Sequence, residues 1–108
     1  MKLPTEIFGD VIVVHTPDEV TIENGEELED LLTTLERSSV IVDMDGTELL
    51  DSGGLEAILK SMDSLRIMGG DLKVATDNAI NRKIFEITRL DQQIDVHSSV
   101  LEAVKSFA

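Results

Sequence analysis

The sequence predicts a single α/β domain, a mixed and mainly parallel β-sheet of about five strands with four helices in the order β-β-α-β-α-β-α-β-α. Three observations carry that prediction. Short β-branched runs alternate along the chain with stretches whose apolar residues recur at helical spacing. Successive parallel strands need a crossover, and each helical stretch can supply one. The chain has 108 residues, 42% of them hydrophobic, which is enough for one core, so residues 1–108 are expected to form one domain.

Residues 5–8 and 11–14 read as two strands about a Gly9-Asp10 turn, a strong hairpin dipeptide. Asn24 and Glu27 stand at capping-box spacing, and Leu28, Leu31, Leu32 and Leu35 follow at i, i+3, i+4 and i+7. This predicts an amphipathic helix over 25–37 with its acidic face outward. Val40-Ile41-Val42 is a buried strand by its β-branched run, continuing through Asp43-Met44-Asp45-Gly46 toward Leu49-Leu50. A helix over about 53–68 buries Leu55, Ile58, Leu59, Met62 and Leu65, and stops at Gly69-Gly70, where a left-handed glycine can end it. Leu72 and Val74 alternate with Asp71 and Lys73 in a further strand. Asp77 or Asn78 can cap a helix that turns Ile80, Ile84, Ile87 and Leu90 inward. Ile94 and Val96 make a short last strand, and Ser99 with Glu102 repeats the capping-box spacing ahead of Val100, Leu101, Val104 and Phe107. The chain shows no internal repeat, linker or low-complexity tract.

Composition narrows the function. Without cysteine there is no disulfide, thiolate nucleophile or Cys-ligated metal, and His15 and His97 fall on different segments, so no metal or cofactor is expected. A formal charge of −13 and 3% aromatic residues oppose binding to the phosphates and bases of nucleic acid. No apolar run approaches the length of a signal sequence core or a membrane span, which leads to an expectation of a cytoplasmic protein with no direct membrane insertion. Eight carboxylates and no Lys or Arg lie between Asp18 and Glu36. Such a stretch is either a solvated helix face or a surface that steers toward a basic partner.

Asp51-Ser52-Gly53-Gly54-Leu55 places a serine where an apolar strand ends and an amphipathic helix begins. A phosphate on Ser52 would sit at the positive end of a helix dipole among free backbone N–H groups. The residues alone favour a plainer reading, because serine is a preferred N-cap that contributes about 0.5–2 kcal/mol with no regulation. Gly53 and Gly54 suit either the close approach of a partner's backbone or a turn. Thr76 and Asn78 read as helix caps.

Two family resemblances meet in residues 40–55. Val40-Ile41-Val42-Asp43-Met44-Asp45-Gly46-Thr47 resembles the first motif of haloacid-dehalogenase-type phosphatases, an apolar strand delivering an Asp-x-Asp-Gly-Thr loop. That resemblance implies a Mg²⁺-dependent enzyme with Asp43 as nucleophile and Asp45 as general acid, Thr76 at the phosphate-binding second motif, Lys83 as the later lysine, and Asp91 or Asp95 as final metal ligands. Against it, Glu48 interrupts the apolar pair expected after Thr47, and no adjacent acidic pair ends a late strand. Asp43 and Asp45 can instead simply flank a strand exit with Gly46 making its turn.

The second resemblance spans nearly the whole chain. Asp51-Ser52-Gly53-Gly54-Leu55, between a strand and a helix, resembles the Asp-Ser-[Ser/Thr/Ala]-Gly-Leu motif of STAS domains, the sulphate-transporter and anti-sigma-factor-antagonist family. Ile67-Met68-Gly69-Gly70-Asp71-Leu72-Lys73-Val74 resembles that family's Gly-Gly turn into its next strand, and Ile84-Phe85-Glu86-Ile87-Thr88-Arg89-Leu90 its late helix. The chain departs from the pattern twice. Gly53 stands where a second hydroxyl is common, and Asp18-Glu19-Val20-Thr21 stands where Gly-x-Leu-Asp is common. The resemblance implies a bacterial, non-enzymatic, partner-switching regulator of transcription of the anti-sigma factor antagonist type. A serine kinase/anti-sigma factor of GHKL type would be bound by the unphosphorylated protein and released on phosphorylation of Ser52, and a PP2C-type phosphatase would reverse the mark. Partner binding would fall on Asp51, Ser52, Gly53, Gly54, Leu55 and Glu56. The same fold also allows a constitutive adaptor, for example a transporter subunit, with no phosphate cycle.

Overall fold

In the computed structural model, which describes residues Met1–Ala108, hydrophobic periodicity builds helices on both faces of a central sheet. The elements in order are β1 (Thr5–Phe8), β2 (Val11–His15), β3 (Glu19–Val20), α1 (Gly25–Thr33), β4 (Ser39–Asp43), β5 (Leu49–Leu50), α2 (Ser52–Ile67), β6 (Asp71–Ala75), α3 (Ala79–Ile87), β7 (Val96–His97) and α4 (Val100–Ser106), with a 3-10 turn at Leu90–Gln92. The main sheet runs β1-β2-β4-β6-β7. Only β1 is antiparallel to its neighbour; β2, β4, β6 and β7 are parallel, as helical crossovers require. The predicted α/β class, five-stranded main sheet and four helices are therefore those of the molecule, and the two short strands β3 and β5 are additions to the predicted order.

Alternation along the strands divides the core in two. Ile12, Val14, Val40, Val42, Leu72 and Val74 join Leu28, Leu32, Leu55, Ile58, Met62, Leu65 and Phe85 from α1, α2 and α3. Val11, Val13, Ile41 and Ala75 point the other way, against Ala103 of α4. Lys73 belongs to this second face and is buried. Its Nζ donates to Ser106 O at 3.1 Å and Ser106 Oγ at 2.8 Å and stands 4.4 Å from the Phe107 ring centroid, which ties α4 down.

Four local expectations are corrected. The first helix ends at Thr33, short of residue 37, where Thr33 and Thr34 hydroxyls donate to the carbonyls of Glu29 and Asp30 and compete with continued helix. Asn24 precedes α1 without capping it through its side chain, which accepts from Thr21 N–H and donates to Glu19 O; Glu27 pairs with the N-terminal amine of Met1 instead. The expected run from residue 40 to Leu50 is two strands, with β5 leaving the main sheet to pair in parallel with β3. On α3, Ile80 and Ile87 are 70% and 71% exposed and the buried residues are Asn81 and Phe85. The Asn81 amide donates to Met44 O at 3.1 Å and Thr47 O at 2.9 Å, and satisfying those buried carbonyls fixes the rotation of the helix.

Other expectations hold. Asn78 caps α3 by accepting from Ile80 and Asn81 N–H, and Ser99 caps α4 by accepting from Glu102 N–H. Gly69 adopts φ of 87° just past the end of α2, with Gly70 N–H returning to Leu65 O at 2.8 Å.

Candidate functional site

The turn into α2 is assembled from two segments distant in sequence. Pairing of Glu19–Val20 with Leu49–Leu50 carries the chain from β5 to Asp51, whose N–H donates to Val20 O at 3.3 Å. Asp51 is the N-cap: its backbone is extended, Oδ1 accepts from Gly54 N–H at 2.8 Å, and Oδ2 accepts from Ile22 N–H at 3.3 Å. One carboxylate thus starts the helix and fastens the 21–24 loop beside it.

This assignment corrects the plain reading of Ser52. With Asp51 at the cap, Ser52 is the first helical residue, and it is exposed. Its hydroxyl makes no hydrogen bond within the chain, so the fold has no use for it that alanine would lack.

Gly53 and Gly54 serve close approach, but of this chain's own backbone. A Cβ at Gly53 would lie 2.6 Å from Ile22 Cβ and 2.7 Å from Ile22 Cα, and one at Gly54 would run into Val20 O. The 20–22 segment lies so tightly over the start of α2 that no side chain fits beneath it. Gly54 and Leu55 are buried, whereas Glu56 is exposed, with its carboxylate 3.2 Å from Lys60 Nζ. The hydrogen bond and charge of Glu56, with further attraction from Glu29 and Glu26, hold the Lys60 ammonium above the ordinary lysine range. Lys60, Glu56, Gly53 and Ile22 line an open cleft of about 360 Å³ together with Glu23, Glu26 and Glu29.

The other predicted site residues meet a different fate. Asp43 and Asp45 do share the strand-exit end of the sheet with Thr76, since Asp43 pairs with Ala75 in register. Asp43 Oδ2 accepts from His15 Nδ1 at 2.8 Å and Oδ1 from Asp45 N–H at 3.1 Å, while Asp45 Oδ1 accepts from Asp77 N–H at 2.6 Å. Thr76 Oγ1 accepts from Asn78 N–H, Lys83 stands 4.0 Å from Glu86, and Asp95 lies 3.5 Å from Lys73. Asp91 lines a separate cleft beside β7 with Arg82, Glu86, Asp95 and His97. Asp43 and Asp45 are thus engaged in the turns themselves, and Lys83 and Asp95 are paired elsewhere.

His15 itself bridges two strands, its Nε2 lying 2.7 Å from Glu6 Oε1. Burial opposes charge on the ring, but the hydrogen bonds to Glu6 and Asp43 and their Coulomb attraction prevail and raise its pKa. Sequence reasoning missed this clamp, the β3–β5 pair and the part played by Ile22. The adjacent glycines at 53 and 54 were the signal that a second backbone passes close by.

Comparison with known proteins agrees with this fold. The STAS domain family model matches residues 2–103. A protein of Thermotoga neapolitana named as an anti-sigma factor antagonist homologue is 23% identical over 106 residues, covering 94% of each chain. Among solved structures, a protein from Thermotoga maritima named as an anti-sigma factor antagonist is similar with TM-score 0.85 at 20% identity, covering 96% of this chain and 92% of its own. The Bacillus cell fate determinant SpoIIAA in its phosphorylated form is similar with TM-score 0.71 at 17% identity, covering 99% of this chain and 100% of its own. With its family model matched over nearly its full length, this chain belongs to the STAS domain family.

Proposed function

We propose that this chain is a phosphorylation-switched, protein-binding regulator of the anti-sigma factor antagonist type, acting by occupancy of a partner and not by catalysis. The observation that carries the reading is the freedom of Ser52: an exposed hydroxyl at the first position of a helix whose cap is already filled by Asp51. In this reading the unphosphorylated protein binds a serine kinase/anti-sigma factor of GHKL type through exposed Ser52 and Glu56, with Asp51, Gly53, Gly54 and Leu55 forming the supporting turn. The kinase phosphorylates Ser52, and a PP2C-type phosphatase removes the mark. The phosphorylated form solved for a structural neighbour supports the reading, as does the name of the Thermotoga neapolitana relative.

The physics runs in one direction. Phosphate adds about −1.5 to −2 charge at pH 7 to a chain whose formal charge is already −13. At the helix N-terminus that charge is tolerated within the protein, gaining about 0.3–1 kcal/mol from the dipole. In a packed interface the bulk and the desolvation cost of the same group oppose association. Release therefore needs no change of fold.

The test is mass spectrometry after incubation with the kinase and ATP, beside a pull-down. Phosphate is expected on Ser52 alone, with Ser52→Ala retained on the kinase in the presence of ATP and wild type released. Phosphate on another residue, or equal retention of modified and unmodified protein, would contradict the reading and favour the constitutive adaptor.

A further inference from the structure

We propose that Ile22 is an apolar anchor for a protein partner that offers an apolar socket rimmed by Lys and Arg. The inference deepens the Ser52 reading, on which it rests for the partner's release, by naming the surface beside the switch and the chemistry it selects.

Ile22 is 74% exposed, yet the loop that carries it is tied down by hydrogen bonds. Thr21 N–H donates to Asn24 Oδ1 at 2.9 Å, Glu23 N–H to Thr21 Oγ1 at 3.2 Å, and Asn24 Nδ2 to Glu19 O at 2.7 Å. Ile22 N–H donates to the cap carboxylate of Asp51, and its Cα sits on Gly53 where no Cβ could be accommodated. A single exposed isoleucine has no significance alone; Ile67 is 86% exposed at the far end of α2. What distinguishes Ile22 is that a hydrogen-bonded scaffold holds an apolar side chain out into water, so that little conformational freedom remains to be lost on binding.

The surroundings state the partner's sign. Ile22 stands between the cleft lined by Glu23, Glu26, Glu29 and Glu56 and a second one reaching Glu19, Asp51 and the half-exposed Leu49. The cation in the first cleft, Lys60, is held by Glu56. An apolar centre with a polar rim is the anatomy of a protein interface, and an acidic rim selects a basic counterpart. A second copy of this chain, at −13, brings the wrong charge. Because Gly53 under Ile22 adjoins Ser52, phosphate on Ser52 would place its bulk and bound water at the edge of the same anchor, so release rests on steric exclusion and desolvation outweighing the attraction of its charge to a basic rim.

The test begins with a photo-crosslinking residue at Glu23, on the rim and leaving Ile22 intact, with Ile67 as the control position. The protein joined at 23 is identified, purified and titrated with variants of the full chain. Ile22→Asp should weaken binding at least tenfold with unchanged thermal melting, Ile22→Leu should bind within about threefold of wild type, and association should slow as salt rises. No adduct at 23, an equal adduct at 67, or Ile22→Asp binding within twofold of wild type would overturn the proposal. Binding that depends on Ile22 but ignores phosphate on Ser52 keeps the anchor and sinks the switch. Release by phosphate with no effect of Ile22→Asp does the reverse.

Discussion

Two turns in this molecule follow a short strand, carry aspartate at the exit and resemble motifs of phosphate chemistry, yet they use their polar groups in opposite ways. In the turn after β4, Asp43 is shared by His15 and the Asp45 N–H, Asp45 holds the Asp77 N–H, and buried Thr47 donates to Pro17 O at 2.6 Å while its carbonyl accepts from Asn81. In the turn after β5, Asp51 is just as fully occupied, by Gly54 and Ile22, but the next residue is not. Ser52 is exposed and unbonded. A group that the fold consumes explains itself by the fold, and a group the fold leaves idle at a helix N-terminus is available for modification.

That contrast can be broken at several points, and the largest effect is expected where the second turn is tightest. Gly54→Ala forces a Cβ into Val20 O and should destabilise the protein by about 1–3 kcal/mol, read as a lower denaturant midpoint. A neutral Gly54→Ala would mean that the 20–22 segment is not held against α2. Next comes Asp51→Ala, which removes the cap and the tie to Ile22 and should lose about 0.5–2 kcal/mol in the same measurement.

The first turn is tested through its histidine. The folded pKa of His15 is raised, so its stabilising contribution is fully present below the unfolded value of about 6.5 and is lost as pH rises through the folded value. Urea unfolding from pH 5.5 to 8.5 should show this loss in the wild type and a flatter profile for His15→Gln. Identical pH profiles would remove His15 from the clamp. The smallest effect belongs to Ser52→Ala, expected within about 0.5 kcal/mol of wild type because Asp51, not Ser52, caps the helix. A loss as large as that of Asp51→Ala would return Ser52 to a structural role and erase the difference between the two turns.

Much of the fold was legible because hydrophobic period and glycine punctuation agree with the tertiary structure along β2, β4, α2 and β6. Legibility failed where a single polar side chain overruled the apolar pattern. The Ile80, Ile84, Ile87 spacing points one face inward, but Asn81 must reach the carbonyls of Met44 and Thr47, and Ile80 and Ile87 turn outward. The two-residue strands β3 and β5 are too short to carry any period, so the scaffold around Ser52 could be anticipated only from the Gly53-Gly54 doublet. Lys73 alternates with the apolar residues of its strand, and nothing local announces that Ser106 and Phe107 will cover it. At the site itself, the motif located Ser52 correctly at the start of α2, but whether Ser52 or Asp51 filled the cap required the geometry.

The most direct test of the switch is the affinity of the kinase for this chain with and without phosphate on Ser52, measured by titration calorimetry without ATP so that the mark cannot change during the experiment. The phosphorylated protein is expected to bind at least tenfold more weakly, roughly 1.4 kcal/mol, while circular dichroism and thermal melting show the same folded domain. Equal affinities would contradict it, as would a weakened complex accompanied by loss of the fold.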